Sequence, residues 1–406
     1  MIYRFGSYTL DTKLLELRCD GVICAIEPQV FDLLVFLVEN RDRVVSKDQL
    51  IDTIWQGRIV SDATLSTRVN AARHAVGDSG KDQTIIRTVQ RRGFHFVADV
   101  TEEETSTDQQ SEAAKDSQTI AKASQAIRFC TTESGVRIAY ATAGRGPALV
   151  KTANWLNHLE YDWESPVWRH VFEGLTSKYL LVRYDGRGNG LSDWDVEDIS
   201  FEAFVRDLEN VVDAVGLERF PLLGISQGCA ISIAYATRHP ERVSHLILYG
   251  GFALGWNKRA KTEAEREQGA AMLTLMRHGW GQENPTFRQL FTSQFIPGAT
   301  KEQNDWFNEL QQISTSPENA VRNLQACGEI DVRELLPQIK VPTLVMHARD
   351  DARIPFDAGR RMAAAIPGAQ FVSLQSRNHL ILGDEPAWPT FLKEVVTFLE
   401  TGTESN

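Results

Sequence analysis

The chain has 406 residues, of which 42% are hydrophobic and 24% are charged, and its formal net charge at pH 7 is -11. This composition is typical of a globular protein with two or three domains. The acidic balance excludes nucleic-acid binding through bulk positive charge but leaves a local basic surface open. No run approaches the ~20 consecutive apolar residues that span a membrane. The five cysteines lack the spacing of a disulfide framework or a zinc site. We therefore expect a cytoplasmic protein with no membrane segment, metal or cofactor.

The predicted elements of the leading domain, in chain order, are strands, three helices and a hairpin. Residues 2–26 predict short strands, and apolar residues at helical spacing after Pro28 predict the first helix. Ser46 is placed to cap a second helix, and Ser61 or Asp62 to cap a third that ends before Gly77. Residues 85–97 predict two strands joined by a tight basic turn. Together these elements predict a winged helix.

The third helix has an apolar stripe and a polar face. The stripe comprises Leu65, Val69, Ala72 and Val76. The residues predicted to contact DNA are Thr67, Arg68, Asn70 and Arg73 of the helix and Arg91 and Arg92 of the hairpin turn. Arg and Asn side chains read base edges in the major groove, whereas arginines of a turn contact phosphates or the minor groove. The alternative is a solvated helix face, but basic residues outnumber acidic ones between residues 58 and 97, which favours double-stranded DNA as a partner.

Three runs carry a resemblance to a known family: RVVSKDQLIDTIWQG, VSDATLSTRVNAARHAVGD and IIRTVQRRGFHFV. Together they resemble the OmpR/PhoB-type effector domain over nearly all of residues 1–100. The resemblance implies a four-stranded N-terminal sheet, a recognition helix at about 61–76 and a wing at about 87–95. No receiver domain precedes this module and no transmembrane helix follows it, so we expect the signal to arrive through the other domain. A single winged helix makes few DNA contacts, and we therefore expect a homodimer.

A polar, acidic segment follows at residues 101–126. It has no aromatic residue and one large aliphatic residue, Ile120, so it cannot bury enough apolar surface to offset the entropy of ordering. We predict a flexible linker at 101–126, with a short helix around 112–125 as the alternative. The linker separates a DNA-binding domain at 1–100 from a second domain at 127–406.

In the second domain, apolar strand-like runs alternate with helical segments. This alternation predicts an α/β architecture with a mostly parallel sheet and helices on both faces. Residues 256–340 interrupt the order with helical segments that contain tryptophans, and they predict a helical cap over the sheet edge.

Three residues of the second domain are placed as a nucleophile, an acid and a base. Ser226 lies in the run GISQG between an apolar strand and a helix, where a sharp turn requires small residues two positions to either side. Asp351 follows a later strand and is preferred to its neighbour Asp350, and His379 follows the last strand. The order Ser226, Asp351, His379 is that of α/β-hydrolases. For His379 alone, the alternative is a buried structural histidine.

The run DGRGNGLS at residues 185–192 is similar to a DxRGxGxS loop common in that superfamily. The second domain thus resembles a capped α/β-hydrolase over about 127–400. The resemblance implies an oxyanion hole made by the backbone N–H groups of Gln227 and Trp155. Ala153 and Asn154 replace the usual His-Gly, which predicts slow turnover. A serine at 226 argues against epoxide hydrolases and haloalkane dehalogenases, which need an aspartate there.

Six tryptophans are candidates either for an apolar pocket or for the core: Trp155, Trp163, Trp168, Trp256, Trp280 and Trp306. Three functions remain open. The favoured one is a transcriptional regulator whose hydrolase-fold domain binds, or slowly hydrolyses, a small ester, lactone or acyl compound. The second is an active carboxylic-ester hydrolase with an accessory DNA-binding domain, and the third is an interaction scaffold without chemistry.

Overall fold

The computed structural model describes residues 1–12, 16–19, 22–24, 26, 28–54, 62–78, 81–89, 92–103 and 125–400. The chain separates into two compact units, residues 1–117 and 118–406. Within the described residues, no helix is both long enough and apolar enough to cross a lipid bilayer.

The first unit contains a sheet, three helices and a hairpin. Its strands are β1 (Ile2–Phe5), β2 (Tyr8–Asp11), β3 (Glu16–Cys19), β4 (Val22–Cys24), β5 (Ile86–Val89), β6 (Gly93–Phe96) and β7 (Thr101–Glu103); its helices are α1 (Pro28–Glu39), α2 (Lys47–Ile54) and α3 (Asp62–Ala75). The sheet is antiparallel in the order β4-β3-β2-β1-β7, and β5 pairs with β6 as a separate hairpin. The predicted winged helix is confirmed.

Two expectations about the first unit are wrong: that its N-terminal sheet has four strands, and that the linker begins at residue 101. Residues Thr101–Glu103, predicted to begin the linker, form β7 and pair with β1, so the sheet has a fifth strand. Backbone hydrogen bonding along an open strand edge requires no apolar side chains, which is why the polar composition did not predict a strand. The remaining predicted linker lies outside the described residues up to residue 124, as does the alternative helix, and Gln125 begins the next strand.

Capping and apolar periodicity explain the helices of the first unit. Ser46 caps α2 as predicted: its Oγ accepts a hydrogen bond from the Gln49 backbone N–H at 3.1 Å, and the Gln49 side chain accepts one from the Ser46 backbone N–H at 3.1 Å. Gly77 follows α3 in the left-handed region, with φ +64°. The predicted apolar stripe of α3 is buried against α1 in one core. Ser61, the alternative cap of α3, lies outside the described residues.

The second unit is a three-layer α/β domain. Its strands are β8 (Gln125–Thr131), β9 (Arg137–Ala143), β10 (Ala148–Lys151), β11 (Leu180–Tyr184), β12 (Phe220–Ile225), β13 (Val243–Tyr249), β14 (Thr343–Ala348) and β15 (Gln370–Leu374). Its helices are α4 (Leu159–Trp163), α5 (Arg169–Thr176), α6 (Phe201–Val215), α7 (Gln227–Arg238), α8 (Trp256–Arg259), α9 (Glu263–Gly279), α10 (Thr286–Phe295), α11 (Lys301–Ser314), α12 (Pro317–Glu329), α13 (Phe356–Ala365) and α14 (Ala387–Glu400).

The sheet of the second unit runs in the order β15-β14-β13-β12-β10-β11-β9-β8. Pairing is parallel from β15 to β11 and antiparallel where β9 meets β11 and β8. The central strands are mostly apolar because helices cover both faces of the sheet; all six residues of β14 are buried. The predicted mostly parallel sheet is confirmed.

The sheet topology places the candidate site. The carboxyl ends of β12, β14 and β15 open towards the same edge, where ligands bind in open α/β sheets. Between β13 and β14 the chain inserts α8 to α12 and a 3-10 helix at Arg333–Gln338, in the position predicted for a cap.

Candidate functional site

Ser226 occupies a strained turn between β12 and α7. Its φ is 55° and its ψ is -122°, a conformation that L-residues rarely adopt, and its side chain is largely buried. Two glycines permit the turn. A Cβ on Gly224 would lie 2.8 Å from the Gly228 carbonyl oxygen, and a Cβ on Gly228 would lie 3.1 Å from the Ala153 carbonyl oxygen. The GISQG run therefore forms the sharp strand-to-helix turn that its glycine spacing predicts.

His379 and Asp351 are paired. The His379 Nδ1 lies 2.8 Å from the Asp351 Oδ2, and both side chains are fully buried. The Asp351 Oδ1 accepts hydrogen bonds from the backbone N–H groups of Arg353 and Ile354. Asp350 is exposed, so the geometry brings together His379 and the preferred aspartate.

The charge of Asp351 is held by its surroundings. Burial by itself raises the pKa of Asp351, but the charge and hydrogen bond of His379 and the two backbone donors outweigh burial and lower the pKa below its usual value. His347 lies beside this pair, with its Nε2 3.5 Å from the Asp351 Oδ2 and 3.1 Å from the Ile354 carbonyl oxygen, and burial lowers the pKa of His347. Asp351 is therefore a carboxylate at neutral pH.

The other ring nitrogen of His379 is available for chemistry. Its Nε2 is buried and has no hydrogen-bond partner among the residues that the structure describes. The ring of Phe295, at the end of α10, packs edge-on against the imidazole with centroids 5.5 Å apart. The imidazole is thus positioned by Asp351 on one side and by the Phe295 ring of the cap on the other.

Ser226 shares a small cavity with both predicted oxyanion donors. The cavity is about 60 Å³ and is lined by Trp155, Ser226, Gln227, Phe252, Trp256, Arg259, Phe295, Leu324, Cys327, Arg353 and Ile354. The backbone N–H groups of Trp155 and Gln227 make no hydrogen bond to any residue in the described part of the chain. Gln227 begins α7, so its N–H lies at the positive end of a helix dipole.

The tryptophans divide between the cavity and the core. Trp155 and Trp256 line the cavity, and Trp280 stacks behind Trp155 with ring centroids 5.6 Å apart. The others pack against Phe172 or Tyr161: Trp163, Trp168 and Trp306.

A buried polar cluster supports the loop that carries Trp155. Lys151 is buried at the end of β10, and its ammonium donates a hydrogen bond to the side chain of Asn154. Burial and the nearby charge of Arg183 lower the pKa of Lys151 to about 7. Asn154, which replaces the usual glycine, is held from behind by this lysine. Lys151 carries no motif, so the sequence reasoning did not find it.

The DGRGNGLS loop is a structural element beside the cavity. Asp185 is fully buried and accepts hydrogen bonds from the backbone N–H groups of Leu159 and Leu191. Arg187 forms a buried ion pair with Asp207 at 2.7 Å. These two anchors fix the loop, whose side chains do not line the cavity that contains Ser226.

In the first unit, the prediction that Arg73 faces DNA is wrong. Arg73 is only 5% exposed. Its guanidinium donates hydrogen bonds to the Ile86 carbonyl oxygen at 3.0 Å and to the Thr88 Oγ1 at 2.7 Å. Helical periodicity places Arg73 on the polar face, but the hairpin folds back over that part of α3. Arg73 therefore ties the helix to β5.

Asp78 reinforces the same connection, and the sequence reasoning missed it. Its buried carboxylate accepts hydrogen bonds from the backbone N–H groups of Thr84, Ile85 and Ile86. Only the residue type hinted at this role, because aspartate often satisfies backbone donors in turns.

The other predicted DNA contacts remain predictions. Asn70 and Arg92 are exposed and Arg68 is half-buried. The side chain of Thr67 and the whole of Arg91 lie outside the described residues.

Comparison with known proteins assigns both units. A family model described as "alpha/beta hydrolase fold" matches residues 157–386, more than half of the chain. The chain belongs to the alpha/beta hydrolase fold family. A second model, described as "Transcriptional regulatory protein, C terminal", matches residues 24–96 and confirms the resemblance to OmpR/PhoB-type domains. The protein thus combines a DNA-binding regulator domain with an alpha/beta hydrolase fold domain.

Individual relatives match the hydrolase part. The AB hydrolase superfamily protein YisY of Bacillus subtilis is 27% identical over 255 residues, covering 62% of this chain and 91% of that protein. Pyrrolizixenacetamide deacetylase of Xenorhabdus hominickii is 25% identical over 257 residues, covering 62% of this chain and 90% of that protein. The solved structure of the esterase EaEST from Exiguobacterium antarcticum has a TM-score of 0.56 and 23% identity, covering 67% of this chain and 98% of that chain. This last likeness concerns the fold alone.

Proposed function

We propose that the protein is a homodimeric transcriptional regulator whose alpha/beta hydrolase fold domain binds, and slowly hydrolyses, a small ester, lactone or acyl compound as its signal. One observation carries the proposal: Ser226, in its strained turn, shares a cavity with two free backbone N–H groups in a chain that also contains a winged helix. The His379–Asp351 pair supports the same reading. The relative named as a deacetylase adds support for acyl chemistry.

The proposed chemistry is acyl transfer through Ser226. The Ser226 oxygen attacks the carbonyl carbon while its proton passes to the His379 Nε2, and Asp351 stabilises the imidazolium that forms. The N–H groups of Gln227 and Trp155 donate hydrogen bonds to the oxyanion. The alcohol leaves with the proton from His379. Water then attacks the acyl-enzyme, releasing the acid and restoring Ser226.

The small volume of the cavity supports a small molecule as the ligand and slow turnover. A cavity of about 60 Å³ accommodates only a few water molecules, since each needs at least about 10–15 Å³. A ligand larger than a few water molecules requires the cap to move. Ser226 is only 8% exposed, so ligand entry itself requires the cap or its edge to open.

An active ester hydrolase with an accessory DNA-binding domain is the second candidate. It is favoured by the pairing of His379 with Asp351, which a binding-only pocket does not require. The two candidates differ in turnover and in the effect of ligand on DNA binding.

Hydrolysis of p-nitrophenyl acetate by wild type and by Ser226→Ala tests the chemistry. We expect slow wild-type turnover that Ser226→Ala abolishes. Rapid turnover lost in the variant, with DNA affinity indifferent to ester, would favour the second candidate. The absence of both hydrolysis and saturable ester binding would contradict both candidates and would favour an interaction scaffold without chemistry.

The DNA role is tested on duplexes selected from a randomised pool by the full-length protein. We expect selected duplexes to contain two half-sites, and sedimentation to show two chains per duplex. Failure to enrich any sequence, or binding by one chain at one half-site, would contradict this part of the proposal.

A further inference from the structure

Two arginines line the same cavity as Ser226. Arg259 is the last residue of α8 in the cap, and Arg353 lies in the loop between Asp351 and α13. Both side chains are half-buried. The cavity therefore joins a candidate nucleophile to two guanidinium groups supplied by different parts of the fold.

Neutral groups hold both arginines in place. Arg353 donates a hydrogen bond to the Gln294 Oε1 at 2.7 Å, and its guanidinium lies 5.3 Å from the ring centroid of Phe295. Arg259 donates a weaker hydrogen bond to the Leu254 carbonyl oxygen at 3.3 Å. Among the described residues, no carboxylate oxygen lies within 4.0 Å of a guanidinium nitrogen of Arg259 or Arg353.

The two acids whose charges act on these arginines already accept other hydrogen bonds. Asp351 accepts hydrogen bonds from His379 and from two backbone N–H groups. Glu265, near Arg259, accepts hydrogen bonds from the backbone N–H groups of Lys261 and Thr262. Each acid raises the pKa of its neighbouring arginine, but burial outweighs this effect and lowers the pKa of both arginines.

No carboxylate of the residues that the structure describes forms an ion pair with Arg259 or Arg353. Partly desolvated cations are costly to hold unless an opposite charge compensates them, and Arg259 and Arg353 also repel each other. A guanidinium presents paired N–H donors that match a planar carboxylate. We propose that Arg259 and Arg353 form a carboxylate subsite, so that the ligand is a short carboxylic acid that also carries the ester or lactone carbonyl placed at Ser226. This inference rests on the proposed function and specifies its ligand class.

Monomethyl succinate and dimethyl succinate test the subsite, because they differ in one carboxylate. Affinity is measured by quenching of tryptophan fluorescence in the full-length Ser226→Ala protein, where Trp155 and Trp256 line the cavity. We expect the half-ester to bind more tightly than the diester. Arg353→Gln and Arg259→Gln should each weaken half-ester binding about 10- to 100-fold and change diester binding less than about 3-fold. Arg266→Gln, an exposed cap arginine paired with Glu263, is the matched control and should change neither.

The outcomes separate this inference from the proposed function. If the diester is bound and cleaved through Ser226 while the half-ester has no advantage, the subsite is wrong and the proposed function stands. If neither ester binds or is cleaved, both are wrong. Thermal melting of each variant identifies unfolding. If Arg353→Gln unfolds, the test uses the affinities of Arg259→Gln and the preference of the protein with both arginines for the half-ester over the diester. Equal losses of affinity for the two esters in Arg259→Gln would overturn the subsite.

Discussion

At the scale of single residues, Asp351 orients the histidine that is proposed as the base. Its hydrogen bond to the Nδ1 of His379 leaves the Nε2 as the ring nitrogen without a partner among the described residues, and its lowered pKa keeps it ionised. Asp351→Asn preserves the size of the side chain but removes the charge and favours the wrong tautomer. We expect the rate of acyl-enzyme formation to fall about 10⁴-fold. Single-turnover measurements with p-nitrophenyl acetate check this, and a loss below tenfold would count against the assigned base.

Arg73 and Arg68 are predicted to differ although both lie on α3. Arg73→Ala leaves the Ile86 carbonyl oxygen without its buried donor, so we expect the free energy of unfolding of the first unit to fall by about 1–3 kcal/mol. Arg68→Ala should lower stability less than Arg73→Ala does and weaken binding to the selected duplex by about 1–3 kcal/mol. Denaturant unfolding and fluorescence anisotropy separate the two effects. The same response from both variants would contradict the assignment.

At the scale of elements, the turn from β12 into α7 depends on close backbone contact. A methyl group at Gly224 would lie 2.8 Å from backbone atoms of Gly228 and Cys229, which cannot move without disturbing Ser226. We expect Gly224→Ala to destabilise the second unit by about 1–3 kcal/mol and to abolish hydrolysis. Gly186→Ala is the control, because its Cβ would lie 3.8 Å from the Ala153 Cβ, an ordinary contact. Thermal melts that leave the two variants equally stable would refute the argument.

Lys151, which supports the loop after β10, makes the stability of the second unit depend on pH. In the folded protein the pKa of Lys151 is about 7, against an ordinary value of 10.5. The folded protein therefore binds fewer protons than the unfolded chain between these values, and stability rises with pH across this window. Lys151→Met removes that titration, so wild type should gain stability relative to the variant between about pH 7 and about pH 10. Urea unfolding at both ends of the window checks this, and a constant difference would contradict it.

At the scale of the whole molecule, the proposed function requires ligand occupancy to alter DNA binding. Two domains in one chain communicate only if the ligand binds two states of the protein with different affinity. A coupling of 1–3 kcal/mol is typical of such systems. We expect monomethyl succinate to change the duplex affinity of full-length Ser226→Ala by at least about 5-fold, and to leave that of residues 1–103 unchanged. Identical responses of the two proteins would show that the coupling is absent.

Local signals in the sequence determined the two domains and the principal candidate residues. Periodicity separated strands from helices, the glycine spacing around Ser226 predicted a sharp turn, and the chain order identified Asp351 and His379. These features depend on neighbours along the chain or on a fixed order of elements, so they are readable without coordinates.

Contacts between distant segments were decided only by the tertiary structure. Arg73 has the helical spacing of an outward residue but is buried because the hairpin covers it. Strand β7 exists because β1 has an open edge, and Arg353 faces the cavity with a neutral partner because α10 of the cap supplies Gln294. Burial and charge compensation are properties of three-dimensional neighbourhoods, and for these residues the neighbours lie too far along the chain for sequence spacing to indicate them.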